Sequence, residues 1–210
     1  KALAMAFDKQ AYADVVLQNG SIPANGLVPE KLALDPSTGE DFREQNGDLL
    51  TYNAEEAKTY FEQGLAELGV ESITLELLSD DTENAKRSSE FLQSQLQTNL
   101  PGLTVTLRNV PFKVRLEADT AGEYDISLSG WGADYADPIN FLELFQTENG
   151  NNKSGYSNAE YDALIDEART NVTDLDARWA SLLAAEKILM EDAGIAPLYQ
   201  RSYAVLQKPY

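Results

Sequence analysis

Tyr124-Asp125-Ile126-Ser127-Leu128-Ser129 runs directly into Gly130-Trp131-Gly132-Ala133-Asp134-Tyr135-Ala136-Asp137-Pro138. In the first six residues Tyr124, Ile126 and Leu128 alternate with polar neighbours, which is the period of a strand. The nine that follow do not extend it. Gly130 and Gly132 admit backbone angles closed to other residues. Pro138 and the residue before it interrupt regular structure. A strand end that releases a Trp and two carboxylates reads in two ways: a polar loop whose Trp caps the core, or a site. The flanking chain chooses between them.

Upstream, residues 72–78 read as a strand, with Ile73, Leu75 and Leu77 alternating with Thr74, Glu76 and Leu78. Residues 82–99 read as a helix with Ala85, Phe91, Leu92 and Leu96 inward, and Asn99-Leu100-Pro101-Gly102 as a turn. Residues 103–109 are a strand, and Pro111 opens a short helix over 111–121. Strand, helix, strand, helix, strand predicts an α/β fold with a parallel sheet and right-handed crossovers. Ligands of such sheets gather beyond the carboxyl ends of the strands. Gly130–Pro138 would occupy one of these ends.

The rest of the chain surrounds this unit. Leu3, Phe7, Ala11 and Val15 recur every fourth residue and predict a helix over 1–18. Residues 20–52 form a long irregular segment punctuated by Gly and Pro, and such loops are usually functional or wrap another surface. Asn53-Ala54-Glu55-Glu56 is a capping box for a helix with Ala57, Tyr60, Phe61, Gly64, Leu65 and Leu68 on its apolar face, closed by Gly69. A short helix is expected over 139–146, a polar turn at Asn149-Gly150-Asn151-Asn152, and a second capping box at Ser157-Asn158-Ala159-Glu160. Thr173-Asp174-Leu175-Asp176 opens a long helix whose core side holds Trp179, Leu182, Leu183, Ile188 and Leu189. Ile195 to Leu206 reads as an extended segment leaving the domain, with Tyr199, Tyr203 and Tyr210 as packing residues.

Composition narrows the function. Among 210 residues there is neither Cys nor His, which removes Ser-His-Asp and Cys-His catalysis and Cys/His zinc sites. The net charge of −19 repels phosphate backbones, so no nucleic-acid partner is expected. No apolar run approaches the ~18 residues of a membrane span, and no signal peptide is visible. The chain starts inside an expected helix and ends just after an apolar strand, so it reads as a piece of a longer protein. Asp80-Asp81-Thr82-Glu83 lacks the spacing of a calcium loop and reads as an acidic helix N-terminus. Asp134 and Asp137 are the pair a carboxylate-dependent hydrolase would use, if their separation suited it. The other reading is a binder: a carboxylate shielded by Trp suits an ammonium group, and peptides carry one.

Several stretches together resemble the oligopeptide-binding, solute-binding proteins of bacterial ABC importers. They are Lys1-Ala2-Leu3-Ala4-Met5-Ala6-Phe7-Asp8-Lys9, Ile22-Pro23-Ala24 with Val28-Pro29, Glu55-Glu56-Ala57-Lys58, Leu65-Ala66-Glu67-Leu68-Gly69, and Gly130 to Pro138. Asn151-Asn152, Tyr156, Tyr161-Asp162, Arg178, Ala185-Glu186 and Pro197-Leu198-Tyr199 complete the series. The resemblance implies that residues 1–210 are a single α/β lobe, with a parallel or mixed sheet flanked by helices. It would be the second lobe of a two-lobe periplasmic-binding-protein-like fold, with the loop 20–52 inside it. It implies that Asp134 holds a peptide α-ammonium and that Gly130, Trp131 and Gly132 line the start of the peptide channel. It also implies an extracytoplasmic, lipid-anchored, monomeric protein that hands its ligand to a membrane ABC permease by hinge closure, without catalysis, metal or cofactor. Two positions depart from the family. Leu128 stands where some members carry an Arg that meets a peptide carboxylate, and Gly132 where some carry Cys. Other solutes on this scaffold (a dipeptide, a metal chelate, a sugar, a signalling peptide) stay open.

Overall fold

The computed structural model describes residues 1–202 and 206–208. The helix expected over 1–18 is broken in two. α1 (Ala2–Met5) ends at Ala6, and α2 (Lys9–Ala11) restarts after Asp8, whose carboxylate accepts from the Ala11 N–H at 2.9 Å. A short acidic side chain that caps a new helix competes with continuing the old one. A π-helical turn, Tyr12–Leu17, prolongs α2. The break rotates the expected apolar face: Phe7 is buried, but Val15 is 65% exposed.

The segment 20–52 holds β1 (Ile22–Pro23), a bridge between Leu34 and Asp41, and α3 (Phe42–Asn46). α3 was not expected. Asp41 caps it, accepting from the Arg43 N–H at 2.9 Å and the Lys31 N–H at 2.8 Å. The segment wraps the domain's own core, into which it sends Val28, Phe42 and Leu50. Lys9 pins it from below: its Nζ donates to the Ala24 carbonyl at 2.9 Å and the Leu50 carbonyl at 2.5 Å. Burial pushes the Lys9 ammonium down from 10.5 to about 8, against a smaller opposing pull from Asp48. Between these values the unfolded chain holds a proton that the folded chain has released. Stability is therefore expected to rise with pH from about 8 towards 10.5. Urea unfolding of the wild type and of Lys9→Met across that window measures it; equal slopes in both would remove the assignment.

α4 (Ala54–Leu68) starts at the expected capping box. Asn53 Oδ1 accepts from the Glu56 N–H at 3.1 Å while Asn53 Nδ2 donates to Glu56 Oε2 at 3.1 Å. Ala57, Phe61 and Leu65 are buried as expected, whereas Tyr60 and Leu68 face outward. The expected βαβαβ unit follows as β2 (Ile73–Asp80), α5 (Glu83–Asn99), β3 (Leu103–Val110), α6 (Phe112–Ala121) and β4 (Ile126–Ser127). Thr82 caps α5, so the acidic run does mark a helix start. The sheet order is β3-β2-β4 and both pairings are parallel. The alternation expected of β2 gives way to Leu77, Leu78 and Ser79 all buried, because a central parallel strand is covered on both faces.

β4 is shorter than the expected 124–129. Asp125 uses its carboxylate, not its backbone, to accept the Glu76 N–H at 2.8 Å, and pairing continues only as far as the Leu128 N–H, which donates to the Leu78 carbonyl at 2.9 Å. The order matters for function. The chain leaves β2 for one side of the sheet and later returns to its other side as β4. The carboxyl ends of β2 and β4 thus border the crevice where the strand order reverses. Gly130 begins there.

α7 (Ile139–Leu142) runs into a 3₁₀ turn, Glu143–Phe145; α8 (Ala159–Thr170) and α9 (Leu175–Glu191) form an antiparallel layer beyond it. The cap of α8 is Asn158, not Ser157: Asn158 Oδ1 accepts from Glu160 and Tyr161 N–H groups at 2.9 and 3.2 Å, while Ser157 Oγ pairs with Thr147 Oγ1 at 3.0 Å. β5 (Tyr199–Gln200) pairs antiparallel with β1, so the segment from Ile195 returns to the chain's own start, where departure was expected. The Tyr199 ring packs 5.6 Å from that of Tyr12. Tyr203 and Tyr210 lie outside the described residues.

Candidate functional site

The loop from Ser129 to Pro138 springs from a braced edge. Arg115 of α6 is buried, and its Nε donates to Asp80 Oδ1 at 2.8 Å, at the very end of β2. Its Nη1 pairs with Asp119 and reaches Ser129 Oγ at 3.4 Å, and Asp119 Oδ1 accepts from Ser127 Oγ at 2.6 Å. One guanidinium between two carboxylates thereby fixes the two strand ends that flank the crevice.

The far end of the loop is fixed by Asp137. Its carboxylate accepts from the Ile139 N–H at 3.0 Å, starting α7, and from Arg178 Nη2 of α9 at 2.9 Å. Arg178 is itself held by Nε, which donates to the Ala168 carbonyl at 3.0 Å. Asp137 is therefore a capping and tethering residue.

Asp134 is different. It is exposed, its backbone N–H donates to Asn140 Oδ1 at 3.3 Å, and no described residue hydrogen-bonds to its carboxylate. Trp131 does not cap the core; it is 44% exposed, and its indole N–H donates to the same Asn140 oxygen at 3.0 Å. Asp134 is thus exposed where the sequence suggested a carboxylate shielded by Trp. Gly130 and Gly132 correct another expectation: neither has a positive φ, and a Cβ at either would meet nothing within 4 Å. Among the described residues, neither torsion nor packing accounts for these glycines. Leu128 is half-buried and packs on the core.

An open cleft of about 370 Å³ lies beside the loop, walled by Leu32, Leu34, Ala136, Pro138, Arg178 and Trp179; none of Gly130, Trp131, Gly132 and Asp134 lines it. All four of those residues are exposed. Among the described residues, no three His, Cys, Asp or Glu side chains converge as metal ligands would. Sequence reasoning missed Arg115 and Asn140. The signal for Asn140 was present, as a polar residue set inside the apolar run Ile139-Asn140-Phe141-Leu142.

The chain belongs to the bacterial extracellular solute-binding proteins, family 5: the profile of that family's middle part matches residues 1–153. It is 36% identical over 208 residues to the dipeptide-binding protein DppE of Bacillus subtilis (strain 168), a match that covers 99% of this chain and 38% of that protein. The structure of Listeria monocytogenes OppA bound to peptide superposes with a TM-score of 0.90 at 53% identity, covering 95% of this chain and 38% of that one. The substrate-binding domain of an oligopeptide ABC transporter from Bacillus anthracis str. Ames gives a TM-score of 0.92 at 39% identity, over 95% of this chain and 39% of that one. The chain thus spans about 38% of the length of the curated relatives it matches. The expected α/β class and the expected family are both correct. The family is extracellular, and among the described residues no helix is long and apolar enough to cross a membrane.

Proposed function

We propose that residues 1–210 form one lobe of an extracytoplasmic peptide-binding protein, and that Asp134 receives the α-ammonium of the peptide. Gly130, Trp131 and Gly132 line the start of the channel, where the open space over the two glycines leaves room for a ligand backbone. The observation that carries this reading is the contrast between two carboxylates three residues apart. Asp137 is engaged by Arg178 and the Ile139 N–H, whereas no described residue pairs with the Asp134 carboxylate, on the loop that follows β4. That contrast also favours a binder over a hydrolase built on the pair, since Asp137 is already occupied. The two relatives described above, one a dipeptide-binding protein and one solved bound to peptide, support the ligand class.

The whole protein closes on its ligand about a hinge and delivers it as a monomer to a membrane ABC permease, held at the cell surface by a lipid anchor. A second lobe covers this exposed surface and removes water from the Asp134–ammonium pair, which strengthens it. No catalytic residue and no cofactor enters this account.

Calorimetry on the full-length protein tests the proposal with one peptide in two forms, free and N-acetylated. Acetylation is expected to weaken binding by roughly tenfold or more, because it removes a charge-assisted hydrogen bond and leaves Asp134 desolvated and unpaired. Equal affinities would refute the role of the ammonium. Binding of a sugar or metal chelate with no binding of peptides would replace the ligand class, and submicromolar peptide affinity in the isolated chain would overturn the half-site.

A further inference from the structure

One buried side chain joins the two residues that this reading depends on. Asn140 is 4% exposed and lies in the first turn of α7. Its Oδ1 accepts two hydrogen bonds, from Trp131 Nε1 at 3.0 Å and from the Asp134 backbone N–H at 3.3 Å. An indole N–H and a backbone N–H are donors only, so the amide must turn its oxygen towards them. Around this oxygen the chain has few other holds. Among the described residues nothing would pack against a Cβ at Gly130 or Gly132, and Trp131, Ala133, Asp134 and Tyr135 are exposed. The base of Asn140, by contrast, is rigid. Its N–H donates to the Asp137 carbonyl at 3.1 Å, Asp137 is tied to Arg178 of α9, and Ile139, Phe141 and Leu142 beside it are buried.

We propose that Asn140 is the positioning residue of the site: by holding the Trp131 indole and the Asp134 backbone on one oxygen, it sets the ring and the carboxylate at the relative position that an ammonium-ended ligand requires. The inference rests on the ammonium-binding reading of Asp134 and adds to it a determinant of affinity that does not itself touch ligand. Trp131, Ala133, Asp134 and Tyr135 are all exposed, so the protein packs little against a carboxylate there to fix its position. Fixing it before the ligand arrives avoids an ordering loss on binding. A buried acceptor shared by two donors makes the constraint specific, because its removal also leaves two N–H groups to find other partners.

The test uses the full-length protein and the tightest binder among a set of unmodified di- to pentapeptides, together with its N-acetylated form. Asn140→Leu, which lacks the acceptor, is expected to lose about tenfold in affinity for the free-amine peptide, or about 1.4 kcal/mol, with far less change for the acetylated one. Asn140→Asp keeps an oxygen in place and is expected to retain the wild-type ratio between the two peptides. In an Asp134→Asn background, Asn140→Leu is expected to add little further loss, because the two residues act as a unit. Trp131→Phe keeps the ring, deletes one of the two donors on an exposed residue, and is expected to lower the ratio partway; it stands in if Asn140→Leu does not fold. A lowered melting temperature with an unchanged ratio in Asn140→Leu and in Trp131→Phe would reduce Asn140 to a structural residue and overturn the inference. If instead the wild-type ratio is one and Asp134→Asn changes nothing, the ammonium reading itself fails. A wild-type ratio well above one that Asp134→Asn lowers and Asn140→Leu does not is the failure of the Asn140 inference alone.

Discussion

Replacing Glu186 by Ala is expected to destabilise the fold by about 3–5 kcal/mol, the range for removing one partner of a buried ion pair. Glu186 is 0% exposed on α9. Its two oxygens accept from Arg43 Nη1 and Nη2 at 2.7 Å each, from Asn46 Nδ2 at 2.6 Å and from the Val28 N–H at 2.8 Å. Three points of the segment 20–52 therefore converge on one carboxylate. Without it, Arg43 would remain buried as an unpaired cation, already with its Nε lacking a partner, and the Val28 N–H would lose its acceptor. Gly26 belongs to the same site, since a Cβ there would fall 1.7 Å from Arg43 Nη1. Urea denaturation of Glu186→Ala should show a lower midpoint with an unchanged slope. The double variant Arg43→Met with Glu186→Leu should recover much of the loss, because it removes both charges together. A loss below about 1 kcal/mol in Glu186→Ala would mean that water reaches Arg43 and that the segment is anchored elsewhere.

Asp134→Asn in the full-length protein is expected to weaken binding of a free-amine peptide by roughly ten- to a hundredfold, the equivalent of about 1.5–3 kcal/mol for a hydrogen bond to a charged group. The same change should leave the N-acetylated peptide nearly untouched, and should leave stability within about 0.5 kcal/mol, because the side chain is exposed and no described residue pairs with it. Asp137→Asn is the informative contrast. It weakens the Arg178 pair and the cap of α7, so its effect should fall on the unfolding midpoint, with the free-to-acetylated ratio kept. If the two variants exchange these phenotypes, the assignment of the two carboxylates is reversed.

These predictions differ in how readable their grounds were. Asp134, Trp131 and the motif around them stood out in the sequence, because a Trp and carboxylates released between glycines after a strand are unusual. The environment of Asp134 was not readable: an exposed carboxylate and a shielded one have the same neighbours along the chain. Asn140 was visible as a polar residue in an apolar run, but its acceptor role needed Trp131 and Asp134 brought to it in space. The Arg43–Glu186 pair, separated by 143 residues, left no trace in any local pattern.

Local chemistry was determined by the sequence alone. Asn53, Thr82 and Asp174 cap the helices they precede, and Gly69 and Gly122 end helices at φ 69° and 68°, where a side chain would be strained. The strand period and the βαβαβ order also follow from the sequence, because they depend on neighbours a few residues apart. Tertiary structure decided what those elements face. It set the order β3-β2-β4 and buried Leu78. It also returned β5 to β1. Hydrophobic periodicity reports that a face is covered and is silent about what covers it, so partner and position emerge only when distant segments compete for the same core. The Gly130–Pro138 stretch shows both sides: its residues stand out along the chain, and what holds them in space is the contact of Arg115 with Ser129 and the bonds of Trp131 and Asp134 to Asn140.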